Sequence, residues 1–330
     1  MNMFIRKTLS CLTQAALTYF VIAPPCIVLA QGYPSRTVRI IVPVPPGGAN
    51  DTLTRAIVPP LAAALGRALV IDNRPGGNTT LGTDVLAKSP PDGHTLIMAP
   101  SAHTVNASLY RTLPYDPIKD FEAVSLVAQT PLLLTVHPSL PVKNVKELAA
   151  LARARPGQLN YASAGNGTSG HLAGELFAAV LKARLTHIPY KGGAPAMVDL
   201  IGGHVQLLFG TLQLGIAHTT TGKVRGLATT GAKRSAQAPH LPTMAEQGLP
   251  EVEIVSWFGM LAPTGTPKDI ITRLHQALRK VMDSREVSDR LSALGYENHN
   301  STPEEFAAFL KTDLARWAKV VRTANIRVEQ

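Results

Sequence analysis

The chain has 330 residues and two cysteines, and carries a net charge of +10 from 32 Lys and Arg against 22 Asp and Glu. The basic excess is spread without blocks or basic-aromatic interleaving, which argues against nucleic acid, and no apolar run after residue 30 is long enough to span a bilayer. Both cysteines, Cys11 and Cys26, fall in a segment read as an export signal, which leaves a mature chain with no disulfide, thiolate nucleophile or cysteine metal ligand.

That signal comes first in the chain. Residues 1–30 set Arg6 and Lys7 ahead of an apolar stretch from Leu12 to Leu29, and Val28-Leu29-Ala30 offers small residues for cleavage, so a periplasmic mature chain is expected from Gln31. "TVRIIVPV" then reads as a buried strand and "PPGGAND" as the turn into a helix with Leu53, Ile57, Leu61 and Leu65 on one face. Pro59 and Pro60 are expected to kink or split that helix. "ALVIDN" is a strand, "RPGGNTTLGTDVLAKS" a turn and helix, and "HTLIMAP" a strand followed by a loop through "YRTLPYDPIKDF". "AVSLVAQT" and "PLLLTVHP" read as two strands. In "KNVKELAALARARPG", Asn144 and Glu147 supply a cap and an acidic third position for a helix that stops at Pro156-Gly157.

Strand "LNYASA", a glycine turn and a helix from about Thr168 to Leu181 come next. They are followed by strand "LTHIPY", turn "KGGAP", helix "AMVDLIGG", strand "HVQLLF", a helix to about Thr221 and strand "KVRGLATT". "LPTMAEQGLP" reads as a loop with a short helix, "VEIVSWFGMLAP" as a strand, and three helices without intervening strands finish the chain from Pro267. The alternation predicts a parallel, doubly wound α/β sheet. Similar strand, glycine turn, helix units at Gly47-Gly48 and Gly165–Gly170 suggest two α/β lobes with a cleft between them, and the terminal helices are expected to return to the first lobe.

The second turn, GNGTSG, spells G-x-G-x-x-G, yet the stretch Arg184–Gly193 lacks the acidic residue that a dinucleotide ribose needs about 20 positions on, so no cofactor is expected. Anion binding remains. Glycine turns aim backbone N–H groups outward at the positive end of a helix, and Ser163, Asn166, Thr168 and Ser169 add short donors. The competing reading is a packing turn that Thr168 merely caps. His171 and Glu175 share a helical face but lack a third ligand in nearby spacing, so no metal is expected. No G-x-S-x-G elbow or G-x-x-x-x-G-K-[ST] loop marks a catalytic site. Lys191 reads as a solvated lysine, with a cation beside the cleft as the alternative reading.

The segments "YPSRTVRIIVPVPPGGAND", "VIDNRPGGNTTLGTDVLAKSPPDGHTL", "LPYDPIKDF", "HIPYKGGAPAMVDLIGGHVQLLF", "GKVRGLA" and "LPTMAEQGLPEVEIVSWFGMLAPTGTP", in order and spacing, resemble the solute receptors of tripartite tricarboxylate transporters, the Bug proteins. The resemblance implies a type II periplasmic-binding fold with two α/β domains, 31–131 with 256–330 and 132–255. It implies a monomeric, non-enzymatic receptor that captures a small organic anion, a carboxylate, for an inner-membrane permease, or alternatively for a sensor histidine kinase. The ligand loops carried over are Pro45 to Asp51 and Ser163 to His171. The candidate contacts are Pro45, Gly47, Gly48, Asn50, Asn78, Thr79, Ser163, Gly165, Asn166, Thr168, His171 and Gly210. The chain departs from the family pattern at Pro59-Pro60, at Asn78-Thr79-Thr80 in place of a small glycine-rich turn, and at Gly210, where an aspartate is common.

Overall fold

The computed structural model describes residues 32–323, so the export-signal reading lies outside the described residues. In β1 (Val38–Val42), Val38, Ile40, Ile41 and Val42 are all fully buried, as a strand covered on both faces demands. The glycine turn after it leads into α1 (Ala49–Leu65), whose Leu53, Ile57, Leu61 and Leu65 form the buried face predicted from spacing four. Pro59 and Pro60 do not split α1. They remove the N–H partners of the Arg55 and Ala56 carbonyls; Arg55 and Pro59 lie on the exposed side, where water can serve the Arg55 carbonyl, and the buried apolar face, Ala56 included, holds the helix by packing on α8 (Lys268–Met282).

The remaining strands are β2 (Leu69–Asn73), β3 (Thr95–Pro100), β4 (Phe121–Val136), β5 (Asn160–Ser163), β6 (Thr186–Pro189), β7 (Leu207–Thr211), β8 (Arg225–Thr229), β9 (Val255–Pro263) and β10 (Glu297–Asn298). Their path runs β2-β1-β3-β9-β4-β7-β5-β6, with β10 and β8 also paired to β4. The two strands expected over "AVSLVAQT" and "PLLLTVHP" are one. From Phe121 to Pro131 β4 pairs with β9, and from Leu132 to Val136 it pairs with β7 and β8. What changes at Pro131 is the partner, not the chain direction, and a period-based reading sees the proline but not the ladder.

β4 therefore belongs to two sheets, β2-β1-β3-β9-β4-β10 and β6-β5-β7-β4-β8. Neither is purely parallel as expected, because β4 runs antiparallel to β9, β10, β7 and β8, and β9 runs antiparallel to β3. Two further elements differ from expectation. Helix α3 (Ala102–Leu109) follows β3 directly; its His103, Thr104 and Asn106 are buried, so it has no apolar period to read. The two-residue β10 interrupts the terminal helices α9 (Arg285–Ala293) and α10 (Pro303–Thr323). The short helix expected in "LPTMAEQGLP" is reduced to turns, with a 3₁₀ turn at Pro250–Val252.

Apolar clusters flank both sheets, and α10 joins them. Phe306 and Leu310 pack with Ile41, Ile97 and Trp257 of the first sheet, whereas Trp317 and Val321 pack in the cluster that holds Leu134, Tyr161 and Phe209 of the second. The terminal helices thus do not return to the first lobe alone.

Candidate anion-binding cleft

Where the two sheets share β4, their connecting loops enclose a cavity of ≈ 1330 Å³. Six helices begin on its wall: α1 after Gly48, α2 (Thr80–Ala87) after Thr79, α3 after Ser101, α5 (Ser169–Leu181) after Thr168, α6 (Gly193–Ile201) after Gly192, and α7 (Leu212–Thr220) after Thr211. Five of these have no side-chain cap; only Thr168 accepts a first-turn N–H, that of His171. By contrast α4 (Val145–Ala154) and α9, which contribute nothing to the cavity wall, are capped by Asn144 and Ser284. A helix start without a cap leaves backbone donors free and carries the positive end of the helix dipole; at α2 the Thr80 and Leu81 N–H groups are instead taken by the Gly77 and Gly76 carbonyls, so there the dipole alone contributes. Among the described residues no Asp or Glu lines the cavity, and the two charged residues that do are cations, Arg111 and Lys191. The electrostatics favour an anion. Val44, Leu132, Leu208, Phe209, Leu214 and Phe258 supply apolar wall.

Of the sequence-predicted contacts, Pro45, Gly47, Gly48, Asn50, Asn78, Thr79, Gly165, Asn166, Thr168 and Gly210 line the cavity together. The Gly47-Gly48 turn is held by Asp51, which accepts from the Gly47 N–H at 2.9 Å, Arg55 Nε at 2.8 Å and Asn73 Nδ2 at 2.9 Å. Burial alone would raise the Asp51 pKa, but these donors hold it below the ordinary carboxylate value. Asn50 donates Nδ2 to the Met98 carbonyl at 2.7 Å. Asn78 and Thr79 both have positive φ, 50° and 76°, an unusual backbone for residues with side chains. A reciprocal pair secures it: Asn78 Nδ2 donates to Asn106 Oδ1 at 2.6 Å, and Asn106 Nδ2 donates to the Asn78 carbonyl at 2.8 Å.

Ser163 and His171 do not line the cavity; they stand behind its wall and shape it. Ser163 Oγ accepts from the Gly165 N–H at 3.1 Å and lies 2.7 Å from His187 Nε2. His171 Nδ1 accepts from the Gly167 N–H at 3.1 Å, so this ring is neutral with its proton on Nε2. His171 stacks on His187 at 4.2 Å. Burial lowers the His171 pKa to about 4, and burial together with the neighbouring His171 lowers that of His187 to about 3. Glu175, the other half of the weighed metal pair, accepts the Tyr161 hydroxyl at 2.5 Å. Among the described residues no three His, Cys, Asp or Glu side chains cluster as a metal site.

Sequence reasoning missed the starts of α3, α6 and α7 as parts of the cleft, and with them Ser101, Gly192, Thr211 and Arg111. The available signal was the repeated strand-to-helix transition, which the two glycine turns overshadowed. The two sheets also meet across the cavity: a Cβ on Gly167, in the β5–α5 loop, would clash with Asn78 and lie 2.8 Å from Leu109 Cδ1.

Two α/β sheets sharing a crossing strand, with an anion-complementary cleft between them, define a solute receptor of the periplasmic-binding type. Residues 53–326 match the family described as the tripartite tricarboxylate transporter family receptor, and the chain belongs to that family. It is 37% identical to protein BugT of Bordetella pertussis over 92% of this chain and 93% of that one. It superposes on Rhodopseudomonas palustris Rpa4515 with adipate at a TM-score of 0.85 and 39% identity, covering 89% of this chain and 99% of that one. The periplasmic binding protein BugD matches at a TM-score of 0.84 and 33% identity, covering 90% and 100%.

Proposed function

We propose that the chain is a periplasmic receptor that captures a small organic carboxylate in the cleft and releases it unchanged to the inner-membrane permease of a tripartite tricarboxylate transporter. The observation that carries this reading is the convergence of five uncapped helix starts on a cavity free of acidic side chains. The adipate held by Rpa4515 supports the ligand class, and the family supports the partner. The lobes are proposed as 31–131 with 256–330 and 132–255, in keeping with the change of ladder partner after Pro131. Ligand contacts are proposed for Pro45, Gly47, Gly48, Asn50, Asn78, Thr79, Gly165, Asn166, Thr168 and Gly210.

A thermal-shift screen of the purified protein against small carboxylic acids tests this. A ligand present at about 100 times its Kd adds about 2.7 kcal/mol of stability. The reading predicts hits confined to carboxylates and lost in a Gly47→Val, Thr168→Ala double variant that still melts cooperatively. A panel without a single carboxylate hit would overturn it.

A further inference from the structure

Asn78 stands in the cavity wall with Asn106 behind it, and their pairing leaves one polar atom without a partner. Asn106 is fully buried on α3. Its Nδ2 donates at 2.8 Å to the Asn78 carbonyl, so its Oδ1 is left to accept, and the donor it meets is Asn78 Nδ2 at 2.6 Å. The orientation of the Asn78 carboxamide is thereby fixed. Its nitrogen also packs against Gly167 of the β5–α5 loop, built on the other sheet, where an added Cβ would lie 3.3 Å from Asn78 Cγ. The oxygen end of the amide is held by nothing: Asn78 Oδ1 accepts no hydrogen bond from any described residue, and it is not among the buried atoms closed off from solvent. The arrangement costs backbone strain, since Asn78 and Thr79 both sit at positive φ, which glycine would adopt freely.

We infer that Asn78 is a specificity-determining residue whose Oδ1 accepts from a hydroxyl that the ligand carries in addition to its carboxylate, and that Asn106 is the positioning residue that aims it. This rests on the receptor reading and narrows its ligand class. A carboxylate held by N–H groups at the helix starts has no proton of its own, so it cannot pair with an acceptor. A ligand without a donor that displaces water from Asn78 Oδ1 leaves the oxygen unpaired and loses affinity, whereas a hydroxyl replaces the lost bond. Between a hydroxyl and an ammonium, charge decides. Among the described residues the wall holds no acid, while Arg111, Lys191 and the positive ends of helices surround the cavity. An ammonium would meet repulsion with no counter-charge; a hydroxyl donates without adding charge. The lock by Asn106 makes the selection one-sided. An amide free to flip would offer Nδ2 to one ligand and Oδ1 to another, but a flip here would set Asn78 Oδ1 against the buried Asn106 Oδ1, two acceptors with no proton between them.

The test uses acids that differ by one group on the same skeleton: succinate, malate and aspartate; glutarate, 2-hydroxyglutarate and glutamate; butanoate, 3-hydroxybutanoate and 3-aminobutanoate. Affinities are measured by calorimetry on the wild-type protein, Asn78→Gly, Asn106→Ala and the double variant. The expected result is that in at least one series the hydroxy acid binds about threefold to tenfold tighter than the plain acid, and the amino acid no tighter than the plain one. Asn78→Gly, whose glycine takes the positive φ without strain, brings that ratio to within about twofold and leaves the plain acid within about threefold, which doubles as proof that the variant folds. Asn106→Ala lowers the same ratio and has no further effect on it in the Asn78→Gly background, whereas a merely structural Asn106 would weaken plain and hydroxylated acids alike. A hydroxyl preference unchanged in Asn78→Gly, or plain acids that bind the wild-type protein as tightly as their hydroxy partners, would overturn the role of Asn78 while leaving the receptor reading intact. An amino acid that binds tighter than its hydroxy partner would overturn the assignment to a hydroxyl. Failure of every acid to bind the wild-type protein would instead overturn the receptor reading, and the role of Asn78 with it.

Discussion

Gln213 Nε2 donates to the Tyr296 hydroxyl at 2.7 Å, and that hydroxyl donates in turn to the Ala49 carbonyl at 2.7 Å. The chain of two bonds joins the first turn of α7, built on the second sheet, to the first residue of α1, built on the first. Its direction is fixed: the hydroxyl has one proton, which goes to a carbonyl, so the Gln213 amide must present its nitrogen. Tyr296 is buried, and burial pushes its pKa upward, which keeps the hydroxyl protonated. Replacing Tyr296 with Phe would strand the Gln213 amide N–H and take from the Ala49 carbonyl the second of its hydrogen bonds, the first being that of α1 itself. The expected cost is about 1–3 kcal/mol in chemical denaturation. A change under about 0.5 kcal/mol would mean that water replaces the hydroxyl without loss.

The two sides of the cleft come together at Gly167. Its φ is +71°, and a Cβ there would lie 2.8 Å from Leu109 Cδ1 and would run into the Asn78 amide. That amide cannot step aside cheaply, because it is pinned to Asn106 at 2.6 Å. Gly167→Ala is therefore expected to weaken ligand binding by tenfold or more and to abolish any ligand-induced fall in radius of gyration seen by solution scattering in the wild-type protein. Since an alanine in this backbone also carries strain of about 1–2 kcal/mol, the scattering change is the decisive readout. Wild-type compaction in the variant would show that the lobes do not need to meet at this point.

The histidine stack behind the β5–α5 loop makes stability depend on pH in a definite direction. His171 at about 4 and His187 at about 3 both lie below the ordinary value of 6.5, so the unfolded chain takes up protons below pH 6.5 that the folded chain refuses. Stability from this source is untouched above pH 6.5 and falls as pH drops from there toward 4. His103, lowered to about 4 by burial, adds to the same slope. In urea unfolding between about pH 7 and pH 4.5, His187→Asn should lose stability less steeply than the wild-type protein. Parallel slopes would remove His187 from the account.

Much of the architecture was legible because it is written in local patterns. The helix capped by Asn144, with Glu147 N–H donating to the Asn144 side chain at 2.8 Å, and the helix begun by Thr168 lie where their capping residues put them. The family membership was also legible, since it is carried by ordered motifs rather than by any one residue. What was not legible depends on partners distant in sequence. β4 reads as two strands because nothing local records that Leu132 leaves β9 for β7 and β8. Ser163 and His171 read as ligand contacts because they flank the glycine turn, yet their hydrogen bonds turn them toward His187 and Gly167. Arg111 was invisible because an exposed arginine in a loop has no pattern at all; only the fold brings it to the cavity.

Gly210 tests the charge of the cleft itself. It lines the cavity one residue before the C-terminal end of β7, its φ is not positive, and a Cβ would lie 3.3 Å from Leu214 Cδ2 and 3.5 Å from Leu208 Cδ2, both ends of flexible side chains. An aspartate therefore fits with small adjustments. It would place a carboxylate in a wall that has none, and at an effective dielectric of about 20 two like charges at 4–6 Å repel by about 3–4 kcal/mol, reduced by solvent in an open cleft. Gly210→Asp should weaken carboxylate binding by about tenfold to a hundredfold, more at low salt, while ligands that carry an amine beside the carboxylate lose less or gain. Gly210→Asn separates charge from bulk, because it adds nearly the same volume without the anion. Calorimetry with a matched pair of carboxylates, one amine-bearing and one not, checks both variants. If Asn and Asp weaken the plain carboxylate equally, the effect is steric, and the absence of acid from this cleft is not what selects its ligand.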